Sequence, residues 1–329
     1  MIIVRVPLRI SLGGGGTDLF HWYKKHNCFL VTATINKFIY LTISRRDLSK
    51  DFWLSYSKIE NINQKKKIKH SIIKEILNKY FINNGLEVHT ISEVPSNSGL
   101  GSSGALSVGL IQALMKQNKK DISINELAEK AVNIEMKLNK KAAGKQDQYA
   151  SAYGGFIKLS INKNGKTKVE KLKISKSRTK EFEQNIYLIY IQNRRFTYQI
   201  LKKQSKLINN KSSKITIMKK IQKIGFKSCE LLENGKIDDY GYLLDEHWNL
   251  KKKIGTFMSN PNVNILYENL KKNGATGGKI IGAGGGGFLM TFVPKKNHSK
   301  FNKYIKKKNL DILDWNFHPK GSEIIFSDD

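Results

Sequence analysis

A chain of 329 residues, 40% of them hydrophobic, can build one large or two ordinary cores. Its apolar runs are too short to cross a membrane, and two cysteines, Cys28 and Cys229, leave no disulfide framework or zinc-type spacing. The net charge of +31 suggests nucleic acid, but the lysines fall in scattered runs (Lys65–Lys67, Lys119–Lys120, Lys251–Lys253, Lys306–Lys308), so solvated faces with a general pull on anionic substrates are expected instead.

Residues 2–10 read as a strand rather than as a signal peptide, which points to a cytoplasmic protein. The strand runs into Ser11–Asp18, where four successive glycines either form a flexible turn or serve a close backbone approach. Phe29–Ile35, Phe38–Ile43 and Phe52–Tyr56 read as antiparallel strands, with Asn36 and Lys37 as a tight hairpin turn. His70–Tyr80 has helical spacing. His21, His26, His70 and His89 show no metal-ligand spacing.

Leu86–Val94 alternates as a strand, and Leu106, Leu110, Ala113 and Leu114 fall on one helical face. Between them lies Pro95–Ala105, P-S-N-S-G-L-G-S-S-G-A. Small residues before a helix N-terminus can cradle a phosphate, or they can be a loop with a serine cap. The G-x-x-x-x-G-K-[ST] loop is absent, and Gly99, Gly101 and Gly104 are not read as a dinucleotide-binding fingerprint.

A second helix, Ser123–Lys137, opens with Ser123 and Glu126 as a capping box. Glu135 lies beside its apolar stripe, open to either a solvated or an inward position. Gly144–Ala150, G-K-Q-D-Q-Y-A, starts a helix with Asp147 in its first turn, where a carboxylate also suits the helix dipole. Phe156–Ile161 is a strand, residues 162–179 a hairpin plus connection, and a domain division is placed near residue 180. Ile186–Ile191 is a buried strand, followed by Arg194 and Arg195, an anion site or a surface pair. Helices follow at Tyr198–Leu207, Ile215–Glu233, Asp238–Lys253 and Ile265–Lys272. A glycine-rich stretch, 274–287, precedes the strand Phe288–Val293. Asn302–Lys308 and Ile312–Phe317 close a βαβ-like unit, and Ile324–Phe326 is a last strand.

Residues 95–103 reproduce without a gap the P-x-x-x-G-L-G-S-S motif of the GHMP kinases, which the chain therefore resembles. Residues 7–18 are similar to the family's first motif and 279–287 to its third, K-x-x-G-A-G-x-G-G. The resemblance implies an α+β, two-domain fold: an N-terminal mixed-sheet ATP-binding domain, 1–180, and a C-terminal ferredoxin-like domain, 181–329, with the substrate between them.

It also implies a site. Pro95, Ser98, Gly99, Leu100, Gly101, Ser102 and Ser103 would hold ATP, and Ser103 with Glu135 would hold Mg²⁺. Asp147 would be the base, with Arg9 and Lys145 offsetting negative charge. Asp18, with Gly15, Gly16 and Thr17, would bind the sugar, joined by Arg195, Gly284 and Gly285. Gly15 and Gly16 stand where galactokinases carry Glu-His, so a plain hexose is not expected.

Residues 144–150 most resemble the sugar-1-kinase branch that includes heptose-7-phosphate and fucose kinases. Trp248–Lys252 resembles a W-x-x-K segment of that branch, without an assigned role. The implied reaction is ATP-dependent phosphorylation of the anomeric hydroxyl of a sugar phosphate by a monomer or homodimer, without nucleic acid or membrane as partner. A free sugar, another alcohol, or a basic nucleic-acid-binding protein are the alternatives.

Overall fold

Alternation along the first strand sets the frame. In a computed structural model, β1 (Ile2–Gly13) turns Ile2, Val4, Val6, Leu8, Ile10 and Leu12 into the core. The period of two then puts Arg9 and Ser11 on the opposite face. The structure describes all residues except 82–84, 141, 192–198, 201, 205–206, 208–211, 285 and 329.

A short helix, α1 (Phe20–Tyr23), leads to β2 (Cys28–Arg45), which pairs antiparallel with β1 over nearly its whole length. The hairpin expected at Asn36 and Lys37 does not form. Pro7 pairs with Phe38 and Leu8 with Ile35, so both residues bulge out of a continuous strand. The bulge is held from far along the chain: the Asn36 amide donates to the Asn316 carbonyl at 2.8 Å, and the Asn316 amide to Asn36 Oδ1 at 2.7 Å.

Then come β3 (Phe52–Ser55), β4 (Ile59–Ile62), α2 (Ser71–Tyr80) and β5 (Leu86–Ser92). β3 is antiparallel to β4 but parallel to β5, so this segment is not the purely antiparallel strand its alternation suggested, and the sheet is mixed, as the family resemblance implies. The chain continues through α3 (Ser102–Gln117), α4 (Ile124–Leu138) and α5 (Gln146–Tyr153) to the hairpin β6 (Phe156–Ile161) and β7 (Thr167–Lys171). Along one edge β2 carries β5 on residues 39–45 and β6 on residues 28–33.

α3 is buried on nearly every side rather than along one stripe. Gly109 lets it settle onto the sheet, since a Cβ there would stand 2.8 Å from Val6 Cγ2. Ser123 caps α4 as expected, its Oγ accepting from the Glu126 amide at 3.2 Å.

The second half runs α6 (Lys176–Gln184), β8 (Ile186–Ile191), α7 (Ser212–Asn234), α8 (Asp239–Ile254), α9 (Pro261–Lys272), β9 (Gly277–Ile280), β10 (Gly287–Phe292) and α10 (His298–Lys308). Its antiparallel sheet has the order β8-β10-β9, and Ile312 bridges to Ile189 on the outer edge of β8. That is the 4-1-3-2 order of a ferredoxin-like unit, with its fourth strand reduced to an isolated bridge. Ile312–Phe317 is therefore not the strand expected. The last strand, β11 (Glu323–Ser327), pairs with β1 in the other sheet, where Arg5 Nη2 meets Glu323 Oε2 at 2.8 Å. Among the described residues no helix is long and apolar enough to cross a membrane.

Candidate active site

β5 delivers the chain to a loop that only glycine can make. Gly99 and Gly101 have φ of +83° and +85°, and Gly101 is the residue before α3, so it leaves the first amides of the helix free. A Cβ on Gly99 would stand 2.6 Å from the Ile281 carbonyl oxygen. The glycine-rich stretch after β9 sits against this loop: a Cβ on Gly282 would stand 2.8 Å from the Gly99 oxygen, and one on Gly287 2.1 Å from the Ser98 oxygen. Ser98 Oγ and Ser102 Oγ are buried without a partner.

Arg9 ties this loop to α5. Its amide donates to the Leu100 carbonyl at 3.0 Å and its Nη1 to the Gly99 carbonyl at 2.5 Å. Its Nε and Nη2 both donate to Asp147 Oδ1, at 2.9 and 2.6 Å. Gly104 permits the approach, for a Cβ there would lie 2.6 Å from that of Asp147.

Asp18 is buried nearby, accepting from the Gln146 amide at 3.0 Å and the Gly16 amide at 3.1 Å. Burial, with the charge of Asp147 adding, raises its pKa above the usual carboxylate value. Burial, again with Asp147 adding, pushes the Glu135 carboxyl up to about 7 against the pull of Ser103, Gln148 and Arg9. Glu135 Oε1 has no partner. Among the described residues no three His, Cys, Asp or Glu side chains gather as a metal cage. A cation drawing on Glu135 and Ser103 would take its other oxygens from phosphate and water, a donor set that suits Mg²⁺.

Two cavities adjoin here. The larger, about 540 Å³, runs from Tyr56, His70 and Thr90 to the 98–103 loop. The smaller, about 390 Å³, is lined by Ser11, Asp18, Gln146, Gln204 and Lys251. They meet at Arg9, Ser103, Asp147 and Gly282, which line both.

The residues singled out by sequence divide accordingly. Ser98, Gly99, Gly101 and Ser102 line the larger cavity; Gly15, Gly16, Asp18 and Glu135 line the smaller. Pro95 is exposed and Leu100 is buried, and neither reaches a cavity. Thr17 is fully buried, its Oγ1 donating to the Gly14 carbonyl at 2.8 Å and so bracing the glycine turn.

The structure does not bring Lys145 to the junction. Its ammonium points away, to Glu129 Oε1 at 2.6 Å, the Gly165 carbonyl at 2.7 Å and Thr167 Oγ1 at 3.1 Å, so its charge is spent on holding the β6–β7 hairpin. Gly284 lies against Met258 rather than a cavity. Arg195 and Gly285 lie outside the described residues.

Sequence reasoning missed Ser11, Gln146, Gln204 and Lys251. Ser11 Oγ, Gln146 Nε2 and Gln204 Nε2 are buried without partners beside the smaller cavity. Strand alternation from Arg9 would have found Ser11, and the G-K-Q-D start would have found Gln146; nothing local marks Gln204.

The chain is similar to known proteins of one family. The family profiles for the GHMP kinases N terminal domain and the GHMP kinases C terminal domain match residues 66–155 and 229–303. The chain is 31% identical to the D-glycero-alpha-D-manno-heptose 7-phosphate kinase of Campylobacter jejuni, covering 97% of each chain. It is 25% identical to the mevalonate kinase of Methanocaldococcus jannaschii, over 95% of this chain and 98% of that one. Among solved structures, a putative sugar kinase from Campylobacter jejuni superposes with a TM-score of 0.77 at 28% identity, over 98% and 97% of the two chains. A D-glycero-D-manno-heptose 1-phosphate kinase from Bacteroides thetaiotaomicron shares the fold, with a TM-score of 0.80 at 23% identity over 99% and 100%.

Proposed function

The chain belongs to the GHMP kinase family and is an ATP-dependent sugar kinase; we propose that its acceptor is the anomeric hydroxyl of a sugar phosphate. The nearest candidate is D-glycero-D-manno-heptose 7-phosphate, converted to the 1,7-bisphosphate in the cytoplasm to feed nucleotide-activated heptose for surface polysaccharide. The observation that carries the reading is the junction itself, where a carboxylate held by Arg9 stands between a cavity built on the glycine loop and a polar one.

In this reading the amides of residues 99–103 and the start of α3 bind the β- and γ-phosphates. Residues 1–180 form the ATP-binding half and 181–329 complete the acceptor side. Glu135 and Ser103 would hold Mg²⁺, which neutralises phosphate charge when bound. Both Arg9 donors fall on Asp147 Oδ1, leaving Oδ2 to accept from the acceptor hydroxyl. The acceptor oxygen forms a bond to the γ-phosphorus as the bond from that phosphorus to the bridging oxygen breaks. ADP leaves, and the hydroxyl proton passes to Oδ2 and on to solvent. Phosphoryl transfer asks little covalent help of the protein, so orientation and charge neutralisation suffice. Asp18 and the unpartnered Ser11, Gln146 and Gln204 would take the sugar hydroxyls.

ATP consumption measured against paired sugars with and without a distal phosphate tests the reading. Faster turnover of the phosphorylated member, with heptose 7-phosphate fastest, is expected. Equal rates without the phosphate would transfer the assignment to a free sugar such as fucose.

A further inference from the structure

We propose that Lys251 is a further catalytic residue, its ammonium contacting the phosphoryl group in transit from the acceptor side of the junction. This rests on the kinase reading above. Of the three consecutive lysines that end α8, Lys251 is buried, Lys252 only partly so, and Lys253 is exposed. Its Nζ donates to the Gly282 carbonyl at 2.9 Å and lines the smaller cavity. Gly282 is the residue seated on Gly99 of the phosphate loop and lines both cavities, so the ammonium is anchored at their seam rather than on the far wall.

Among the described residues no carboxylate lies within ion-pair distance of that ammonium. Asp147 is already engaged by Arg9, and Asp18 by two backbone amides. Behind Lys251 stand Lys279 and His247, both fully buried, with Nζ and Nδ1 3.3 Å apart. Burial and the neighbouring cations press each of these two toward its neutral form, so no anion backs Lys251 from that side. A buried cation with one hydrogen bond and no counterion is costly until an anion arrives. The anion that must pass this point is the γ-phosphoryl, which Arg9 meets from β1 and Lys251 meets from the second half of the chain.

Burial, with Arg9 adding and Asp18 opposing, lowers the Lys251 pKa to about 8. The charge is therefore present at neutral pH and lost as the pH rises through that value. For the free enzyme this predicts a basic limb near 8 in the pH profile of kcat/KM.

The test compares K251M and K251R with the wild type. K251M is expected to lose about 100-fold in kcat, with the KM for ATP and acceptor changed by less than about threefold. K251R should recover most of that loss and should lack the basic limb. Because water can replace the sugar, the slow ATP hydrolysis measured without acceptor should fall in K251M as well, which tests the residue even where the acceptor assignment fails. A raised acceptor KM with unchanged kcat and unchanged ATP hydrolysis would overturn the proposal in favour of a site for the acceptor's own anionic group. A basic limb that persists in K251R would reduce Lys251 to a structural role, and this readout holds even where K251M fails to fold.

Discussion

Two part-buried ion pairs flank the start of α5, with nearly the same separation and exposure. Arg9 meets Asp147 and Lys145 meets Glu129, each at 2.6 Å; the bases are 5% and 6% exposed, the acids 28% and 32%. Their surroundings differ. Glu129 Oε1 also takes the Tyr149 hydroxyl and Thr167 Oγ1, so the pair is closed on itself and pins the β6–β7 hairpin. Asp147 receives both Arg9 donors on one oxygen and lines both cavities where they join. Charge pairing does not set the two apart; the proposed reading of Asp147 as the base rests on its place at the cavity junction.

Substitution can break this likeness. Asp147→Asn keeps the shape but makes a poorer acceptor for the hydroxyl proton, so kcat should fall by about 10²–10⁴-fold with little change in thermal midpoint. Full activity in that variant would place the reaction elsewhere. Arg9→Lys keeps the charge but loses the fork that grips Asp147 and Gly99 together, and a fall in kcat of about 10–100-fold is expected from steady-state kinetics. Lys145→Met should show the reverse pattern. With Glu129 partly exposed, its unfolding free energy should fall by about 2–3 kcal/mol, at or below the low end for a broken buried pair, while kcat stays within about tenfold of wild type. Calorimetry and an activity assay on the same preparation would separate the two pairs, and a K145M variant that is stable but inactive would erase the distinction drawn here.

The same contrast explains what was legible in the sequence. The strand, glycine loop and helix around residues 95–103 could be read because each depends on near neighbours: alternation in Leu86–Ser92, positive φ at Gly99 and Gly101, and free amides after them. Asp147 and Asp18 could be placed once the motifs resembled a family. The roles of Lys145 and Lys251 could not be sorted locally. Both sit in polar, lysine-containing stretches, and only tertiary packing within each half of the chain turns Lys251 inward to Gly282 while Lys145 faces a hairpin. Asn36 and Lys37 misled for the same reason. A polar pair between apolar runs reads as a turn, but here it is a bulge whose partner, Asn316, lies 280 residues away. β11 likewise completes a sheet begun at the other end of the chain.

A crystal structure with a non-hydrolysable ATP analogue and heptose 7-phosphate bound together tests the junction most directly. The triphosphate should lie on the amides of residues 99–103 in the larger cavity, with the anomeric oxygen at about 3 Å from the free oxygen of Asp147. A nucleotide seated in the smaller cavity, or a sugar whose hydroxyls all lie beyond reach of Asp147, would contradict the account.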